Sequence, residues 1–460
     1  MTADTFDVVV IGMGPGGEAA ATRLSRAGLT VLGVEGRLVG GECPYYACVP
    51  TKMMIRAANT LAEAGRVGAL AGSAAVRPDW GHVAARIRAE ATDNWDDAVA
   101  VARFEKAGGR FVRGWARISA PGEVTVDTTT GSRVFQATQG IVLNPGTQPA
   151  VPPIPGLADT PYWTNREAVA VKEVPSSLIV FGGGPVASEF AQVFARFGSS
   201  VTMLVRSRLL SHDEPESGEV LGEVLASEGV IVRTGVSVTR VAHDGRRFTV
   251  SLDDGVVHHA EQLLVATGRR ADLAALGVGN LGIDEQSRTI EVDERMRAGD
   301  RLWAIGDVTG RGAFTHMSMY QADIAASDIL GAATRAADYR AVPRVTFTDP
   351  EVGTVGVTEA TARAGGVSVR TGITRVPSSS RGWIHKAGND GFIKLVEDAD
   401  RGVLVGATSV GPAGGEVLGA LAVAIHAEVP VRTLRDMIFA YPTFHGAIAA
   451  ALKDLGDQAD

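Results

Sequence analysis

The 460-residue sequence predicts an α/β fold with two similar strand–turn–helix domains, followed by a separate α+β domain. Three observations support this prediction. The chain is too long for one ordinary domain, since domains usually contain roughly 100–200 residues. A glycine-rich turn between an apolar strand and a helix occurs twice. From about residue 341 the pattern changes to separate strands followed by two helices, which is typical of an α+β domain.

The first glycine-rich turn, residues 12–17, lies between a predicted strand at 7–11 and a predicted helix from about 18 to 27. In such a turn the first glycine, Gly12, allows the tight bend, and the second, Gly14, lets backbone N–H groups approach a pyrophosphate. The third, Gly17, allows the helix to pack closely on the sheet. Because the helix N-terminus then faces the phosphate, the pattern predicts a Rossmann-like dinucleotide site.

Glu35 supports this interpretation of the first turn. It follows the next predicted strand, residues 30–34, where a carboxylate can accept hydrogen bonds from both ribose hydroxyls of a dinucleotide. The alternatives are a solvent-exposed glutamate and a glycine turn that serves packing alone.

The second glycine-rich turn, residues 182–187, follows a predicted strand at 178–181 and places Gly182 and Gly184 in the first two glycine positions. After the next predicted strand, Val205 stands where an acid would bind the ribose, and Arg206 and Arg208 follow. Arginine suits the 2'-phosphate that distinguishes NADPH from NADH. The second domain is therefore predicted to prefer NADPH, with NADH as the alternative.

Composition excludes several classes of function. The chain is 45% apolar and carries a formal net charge of −8, whereas nucleic-acid-binding proteins usually present a basic face. The N-terminal apolar run lacks the basic start and cleavage site of a signal peptide. Since no later stretch approaches roughly 18 apolar residues, we expect a cytoplasmic protein with neither nucleic acid nor membrane as a partner.

The chain has only two cysteines, Cys43 and Cys48, and in a reducing compartment a close pair is more often catalytic or metal-binding than a structural disulfide. In a regular helix, residues five apart have Cα atoms about 8.6 Å apart, beyond the roughly 7 Å limit for a disulfide. If the pair closes, Cys43 should lie at the helix cap, with Pro44 in the first helical position. A thiol there is biased toward the thiolate. Two buried, inert cysteines are the alternative.

The segment 40–52 resembles the redox motif of the class I pyridine nucleotide-disulfide oxidoreductases, which include glutathione reductase, dihydrolipoamide dehydrogenase and mercuric reductase. The resemblance extends over essentially the whole chain and includes Ala266-Thr267-Gly268-Arg269, Ala304-Ile305-Gly306-Asp307, Thr315-His316 and Thr348-Asp349-Pro350-Glu351. It implies FAD in the first domain, NAD(P)H in the second, and a C-terminal dimerisation domain. The implied segments are 1–150 and 271–340 for FAD, 151–270 for NAD(P)H and 341–460 for the homodimer interface.

The resemblance also implies roles for individual residues. Cys43 would attack the acceptor, and Cys48 would lie beside the flavin. Lys52 would pair with Glu189 near the position where hydride arrives, although an ordinary surface salt bridge is the alternative. Asp307 would accept a hydrogen bond from the ribityl chain of FAD. The same comparison assigns three further residues to the cofactor sites: Gly41, Gly268 and Thr315.

The C-terminal motif departs from that of the disulfide-reducing relatives, which have His-Pro-Thr followed three residues later by Glu. Tyr441 stands at the histidine position and Gly446 at the glutamate position. Tyrosine, with a pKa near 10, is a poor base at neutral pH. His445, four positions on from Tyr441 on an expected helix, could replace the histidine or be an ordinary interface residue. A tyrosine here resembles mercuric reductase and the soluble transhydrogenase.

The sequence thus predicts an FAD-dependent NAD(P)H oxidoreductase that passes electrons to the Cys43–Cys48 pair and then to a small-molecule acceptor. A disulfide, a quinone and a metal ion all remain open as acceptors, and no resident metal is expected. The alternatives are direct transfer from flavin to a quinone, as in a diaphorase, and a redox-sensing flavoprotein.

Overall fold

The computed structural model describes residues 4–332 and 335–456. These residues form two compact units by their contacts. Among the described residues, the first unit comprises the ranges 4–50, 85–150 and 269–338. The second comprises the ranges 51–84, 151–268 and 339–456. Two helices, Cys48–Leu70 and Trp80–Arg86, begin in one of these groups and end in the other.

Residues 51–84 group with the second unit, although the sequence suggested one continuous segment from 1 to 150. The Trp80 ring explains part of this grouping. It packs against Phe194 and Phe197 at centroid distances of 5.5 and 5.0 Å. Its indole N–H also donates to the Val171 carbonyl at 3.0 Å. The contacts of this segment therefore link it to residues 151–268 of the second unit.

The first unit is built on an eight-stranded sheet with a parallel centre. Its central strand, Asp4–Ile11, pairs in parallel with Val31–Glu35 and Gly131–Leu143, and Val8, Val9 and Val10 are fully buried, as expected for a sheet covered on both faces. The other strands are Arg110–Arg113, Trp115–Ala120, Glu123–Thr128, Arg297–Gly299 and Leu302–Ala304, with a separate two-stranded pair, Gln148–Pro149 and Arg269–Arg270. The α-helices are Pro15–Arg26, Glu42–Tyr45, Ala98–Lys106, Leu273–Leu276 and Thr315–Ile329.

Residues 151–268 of the second unit contain a four-stranded parallel sheet with Ser177–Phe181 and Ser200–Val205 at its centre. The outer strands are Ile231–Thr234 and Gln262–Val265, and a three-stranded antiparallel sheet contains Val238–His243, Phe248–Leu252 and Val257–Ala260. The helices are Asn165–Ala170, Pro185–Arg196 and Pro215–Ser227.

The C-terminal part of the same unit is a five-stranded antiparallel sheet covered by helices. In spatial order its strands are Pro343–Thr346, Glu351–Gly356, Val403–Gly411, Phe392–Asp398 and Val369–Arg375. The helices are Glu359–Ala364, Ser380–His385, Gly414–His426, Val431–Arg435 and Gly446–Asp454. Within the described residues, no helix combines the length and the apolarity needed to cross a bilayer.

Both glycine-turn helices begin at a proline, Pro15 in the first and Pro185 in the second. The first helix therefore starts three residues earlier than the sequence suggested. Proline suits the first helical turn, because its missing N–H would have no helical partner there and its fixed φ is already helical.

Candidate active site

The first glycine turn has the backbone geometry of a phosphate cradle. Gly12 has φ = 90°, and a Cβ there would lie 2.1 Å from the Asn144 carbonyl oxygen. A Cβ on Gly17 would lie 2.0 Å from the Gly12 carbonyl oxygen. Gly14 is the extended residue immediately before the helix Pro15–Arg26, whose first N–H groups lack helical partners. The arrangement fits a dinucleotide pyrophosphate.

Glu35 lies beside this turn, at the end of its strand. Its carboxylate accepts hydrogen bonds from the Met13 N–H at 2.9 Å and from the Arg37 N–H at 2.8 Å. Burial raises the pKa of Glu35 above its ordinary value. Because each carboxylate oxygen has two lone pairs, the group can accept ribose hydroxyls while it stays fixed by these two amides.

Gly41 brings the cysteine segment close to the glycine turn. It has φ = 68°, and a Cβ there would lie 2.9 Å from the Gly14 Cα atom. Gly41 is also the residue that caps the short helix Glu42–Tyr45. A side chain at this position would therefore both strain the backbone and intrude on the phosphate turn.

Cys43 is the second residue of the helix Glu42–Tyr45, and Cys48 is the first residue of the helix Cys48–Leu70. Both side chains are half-buried. The prediction that Cys43 lies outside regular helix, at the cap, was wrong. The positive φ of Gly41 lets the helix begin earlier and places Pro44 third rather than first. The two cysteines nevertheless lie in different helices.

Thr315 was expected at a cofactor site, and the structure places its hydroxyl 3.4 Å from the Cys48 sulfur. Thr315 is the first residue of the helix Thr315–Ile329. In this contact either the Thr315 hydroxyl or the Cys48 thiol can be the donor. The starts of the helices Cys48–Leu70 and Thr315–Ile329 favour negative charge on a nearby sulfur.

Asp307 belongs to a polar group at the end of the strand Leu302–Ala304. Its carboxylate accepts a hydrogen bond from the Thr147 hydroxyl at 2.6 Å. The Arg269 guanidinium donates to the Thr147 hydroxyl and carbonyl at 2.9 and 2.6 Å, and lies 3.6 Å from the Glu42 carboxylate. These contacts fix Asp307 in a position where a further carboxylate lone pair can accept a ribityl hydroxyl.

In the second unit, Lys52 and Glu189 form the predicted ion pair. The Lys52 ammonium lies 2.8 and 3.1 Å from the two Glu189 carboxylate oxygens. Glu189 also accepts the Phe347 N–H at 2.9 Å, and the Lys52 ammonium lies 4.7 Å from the centre of the Phe347 ring. The side chain of Glu189 is 8% exposed and that of Lys52 is 35% exposed, so this is a mostly buried pair rather than a surface salt bridge.

The second glycine turn has an open phosphate site. Gly182 has φ = 126°, and a Cβ there would lie 2.2 Å from the Ala266 carbonyl oxygen. Apart from Gly184 itself and its two chain neighbours, no heavy atom of the described residues lies within 4 Å of a Cβ built on Gly184, directly before the helix Pro185–Arg196. Gly268, also with positive φ, has similar open space. These positions fit the backbone approach that a second dinucleotide requires.

The two arginines after the following strand have different surroundings. Arg206 is exposed. Arg208 is half-buried and donates to four main-chain carbonyls of its own loop, those of Leu209, Leu210, Ser211 and Asp213. Arg208 therefore stabilises the loop in this conformation, which leaves Arg206 as the better placed of the two for a phosphate.

Tyr441 is 82% exposed, and His445 is also exposed. Residues 441–445 are not helical, and the helix Gly446–Asp454 begins directly after His445. The helical spacing expected between Tyr441 and His445 was therefore wrong, because the segment between them forms turns instead.

Comparison with known proteins identifies the family. Residues 6–322 match the family Pyridine nucleotide-disulphide oxidoreductase, and residues 342–452 match the dimerisation domain of the same proteins. The chain belongs to this family. It is a flavoprotein oxidoreductase of the class I type, and FAD and NAD(P)H are the cofactors of the family.

Curated relatives and solved structures agree with this assignment. A mercuric reductase of Shewanella putrefaciens is 33% identical over 95% of this chain and 79% of its own length. A dihydrolipoyl dehydrogenase of Thermus scotoductus is 31% identical over 99% and 98% of the two chains. The Cu(II) complex of the HOCl-induced flavoprotein disulfide reductase RclA from Escherichia coli superposes with a TM-score of 0.82 at 27% identity, covering 98% and 99%. The matched dimerisation domain supports a homodimer.

The structure of this oxidoreductase gives Asn144 a role that the sequence did not indicate. Its amide nitrogen donates to the Gly12 carbonyl at 3.2 Å, and its amide oxygen accepts the Ser318 hydroxyl at 3.1 Å. Asn144 stands where relatives usually have the alanine of an Ala-Thr-Gly motif. That departure was the only signal in the sequence, and it did not reveal a bridge between the glycine turn and the helix that begins at Thr315.

We expect Asn144→Ala to lower the free energy of unfolding by about 1–3 kcal/mol, because it leaves the Gly12 carbonyl and the Ser318 hydroxyl without this buried partner. The measurement is the midpoint of unfolding in urea, monitored by the rise in fluorescence as FAD is released. Asn280→Ala, which removes a single amide bond to the Ile118 carbonyl in the same unit, is the matched control. A midpoint no lower than that of the control would contradict the bridging role.

Proposed function

We propose that this oxidoreductase uses NAD(P)H and FAD to reduce the Cys43–Cys48 pair, which then reduces a thiophilic metal ion. Tyr441 is the observation that carries the choice of acceptor. Reduction of a disulfide by a thiol releases a second thiol, whose proton must be supplied, and the attacking thiol must be deprotonated. A tyrosine, which as a residue type is a much weaker base than histidine at neutral pH, replaces the histidine that performs this work in disulfide-reducing relatives.

Reduction of a metal ion needs no acid to protonate a leaving thiol. Soft cations bind thiolates directly, and no leaving thiol has to be protonated when they are reduced. Cys43 and Cys48 each lie in the first turn of a helix, a position that favours a thiolate over a thiol. The names of two relatives, a mercuric reductase and a reductase solved as its Cu(II) complex, also support a metal acceptor.

The proposed reaction has a simple electron balance. FAD, when bound, would transfer the electron pair of NAD(P)H to the cysteines. Oxidation of the Cys43–Cys48 dithiol to a disulfide releases two electrons and two protons. These electrons reduce one Hg(II) to Hg(0) or two Cu(II) to two Cu(I), and the next NAD(P)H restores the dithiol.

The test is an anaerobic comparison of acceptors at fixed NADPH: Hg(II), Cu(II), oxidised glutathione and benzoquinone. We expect one of the two metal ions to give the highest kcat/KM. A higher value for oxidised glutathione would reject the argument from Tyr441 and favour a disulfide acceptor. A higher value for benzoquinone would favour direct transfer from the flavin.

The preferred nucleotide in this proposal is NADPH, with Arg206 as the contact to the 2'-phosphate. Hydrogen bonds to charged groups typically contribute about 1.5–3 kcal/mol, so Arg206→Ala should lower kcat/KM for NADPH about 10- to 100-fold and leave that for NADH nearly unchanged. Steady-state kinetics with both nucleotides provide the measurement.

Arg208→Ala is the control for this prediction, because Arg208 holds its loop through main-chain carbonyls. This variant should lower kcat/KM for NADPH and for NADH by similar factors, because it loosens the loop. If Arg208→Ala lowered kcat/KM for NADPH alone and Arg206→Ala did not, Arg208 rather than Arg206 would be the contact to the 2'-phosphate.

A further inference from the structure

The short segment from Asp93 to Asp97 forms hydrogen bonds with the chain on both sides of Cys43. At one end, the buried Asp97 carboxylate accepts the Val39 N–H at 2.6 Å. At the other end, the Trp95 indole N–H donates to the Tyr45 carbonyl at 3.2 Å. Cys43 therefore lies in a stretch of chain that one segment holds on both sides.

The backbone of this segment is unusual. Asp93, Asn94 and Trp95 have φ values of 47°, 57° and 59°. Left-handed backbone is disfavoured for residues other than glycine, and it normally occurs at single positions rather than three in succession. A turn of π-helix, Ile87–Ala91, precedes it, and the buried Thr92 hydroxyl donates to the Ile87 carbonyl at 3.0 Å. The chain thus adopts a costly conformation that presents the Trp95 ring to the cysteine segment.

The Tyr45 carbonyl is the point at which this contact affects the cysteines. Tyr45 is the last residue of the helix Glu42–Tyr45, and Tyr46 leaves helical geometry with φ = −138°. The carbonyls in the last turn of a helix lack helical partners. Pro50 already bars one continuous helix from Glu42 into Cys48–Leu70, because it has no N–H for the Tyr46 carbonyl four residues earlier. Within this interruption the Trp95 indole N–H donates to the Tyr45 carbonyl.

One continuous helix is incompatible with closure of the pair. Residues five apart in such a helix have Cα atoms about 8.6 Å apart, whereas disulfides require less than about 7 Å. We infer that Trp95 is a positioning residue for the redox pair: its indole N–H binds the Tyr45 carbonyl, fixes the interrupted stretch between the cysteines, and so keeps the two sulfurs close enough to form a disulfide. The inference rests on the proposed redox role of the pair.

The test is the thiol–disulfide equilibrium of the purified holoenzyme in mixtures of oxidised and reduced dithiothreitol, with no NADPH or metal present. Trp95→Phe keeps an aromatic ring and removes the N–H. We expect the effective concentration of the two thiols to fall about tenfold, which makes the midpoint potential about 30 mV less negative.

Trp303→Phe is the matched control. It also removes a buried indole N–H bond in the same unit, to the Asp328 carboxylate at 2.9 Å, at a residue with no role in the proposed site. Its midpoint should equal that of the wild type. A Trp95→Phe midpoint equal to that of the wild type overturns the inference.

Two variants of the exposed Asn94 test the same point if Trp95→Phe does not fold. Asn94→Val disfavours the left-handed backbone that presents Trp95, so it should shift the midpoint in the same direction as Trp95→Phe. Asn94→Gly tolerates that backbone and should leave the midpoint unchanged. Equal midpoints for the two variants would reject the positioning role.

The same titration separates this inference from the proposed function. If the wild-type cysteines form no disulfide at any potential, both the redox role and the inference are wrong. If the wild-type pair titrates normally and Trp95→Phe shifts it, the inference stands even when no metal ion is an acceptor.

Discussion

Cys43→Ser and Cys48→Ser should each lower NADPH-dependent reduction of Hg(II) or Cu(II) by on the order of 1,000-fold, because each variant removes one half of the dithiol that we propose to deliver the electron pair. The chain has only two cysteines, so no other thiol can replace the lost one. Both serines are close in size to cysteine, and the half-buried sites should accept them without loss of the fold. The measurement is anaerobic NADPH oxidation at saturating metal ion.

Benzoquinone provides the control within the same variants. A quinone can take electrons directly from reduced flavin, so its reduction should continue in both serine variants, and FAD content should equal that of the wild type. Unchanged metal reduction in Cys43→Ser would show that electrons leave the flavin without the cysteines. Loss of both activities would point to damaged flavin binding instead.

The parts of the site that could be predicted from the sequence are those with a local backbone requirement or a family motif. Each glycine turn requires positive φ at its first glycine, and both Gly12 and Gly182 have it in the structure. Lys52 and Glu189 are 137 residues apart, so no local pattern could pair them. Their pairing was predicted only because the family resemblance supplied long-range information.

The parts that could not be predicted depend on tertiary contacts of ordinary residues. The sequence around Arg208 suggests a phosphate contact, and only the folded loop shows that its carbonyls occupy the guanidinium. The left-handed turn at Asp93, Asn94 and Trp95 is similar. Aspartate and asparagine adopt positive φ more readily than most residues, but tryptophan gives no such signal, and the turn depends on its packing against the cysteine segment.

Lys52→Met is expected to slow the reduction of bound flavin by NADPH by on the order of 100-fold. The family resemblance assigns the Lys52 ammonium to the region where negative charge accumulates as hydride arrives, and preorganised charges in such positions commonly contribute about 100- to 1,000-fold. Stopped-flow absorbance under anaerobic conditions measures this step before any acceptor is involved. Lys106→Met, at an exposed lysine, controls for the loss of a positive charge.

Loss of Lys52 also removes the counter-ion of Glu189, whose carboxylate is 8% exposed, so a slow variant could simply be a destabilised one. The double variant Lys52→Met/Glu189→Gln separates the two explanations. Glutamine keeps an oxygen acceptor for the Phe347 N–H and removes the unpaired charge, so thermal stability should recover toward that of the wild type. If Lys52 acts on the reaction, flavin reduction should remain slow in the double variant. Recovery of the rate together with stability would show that the pair only maintains the fold.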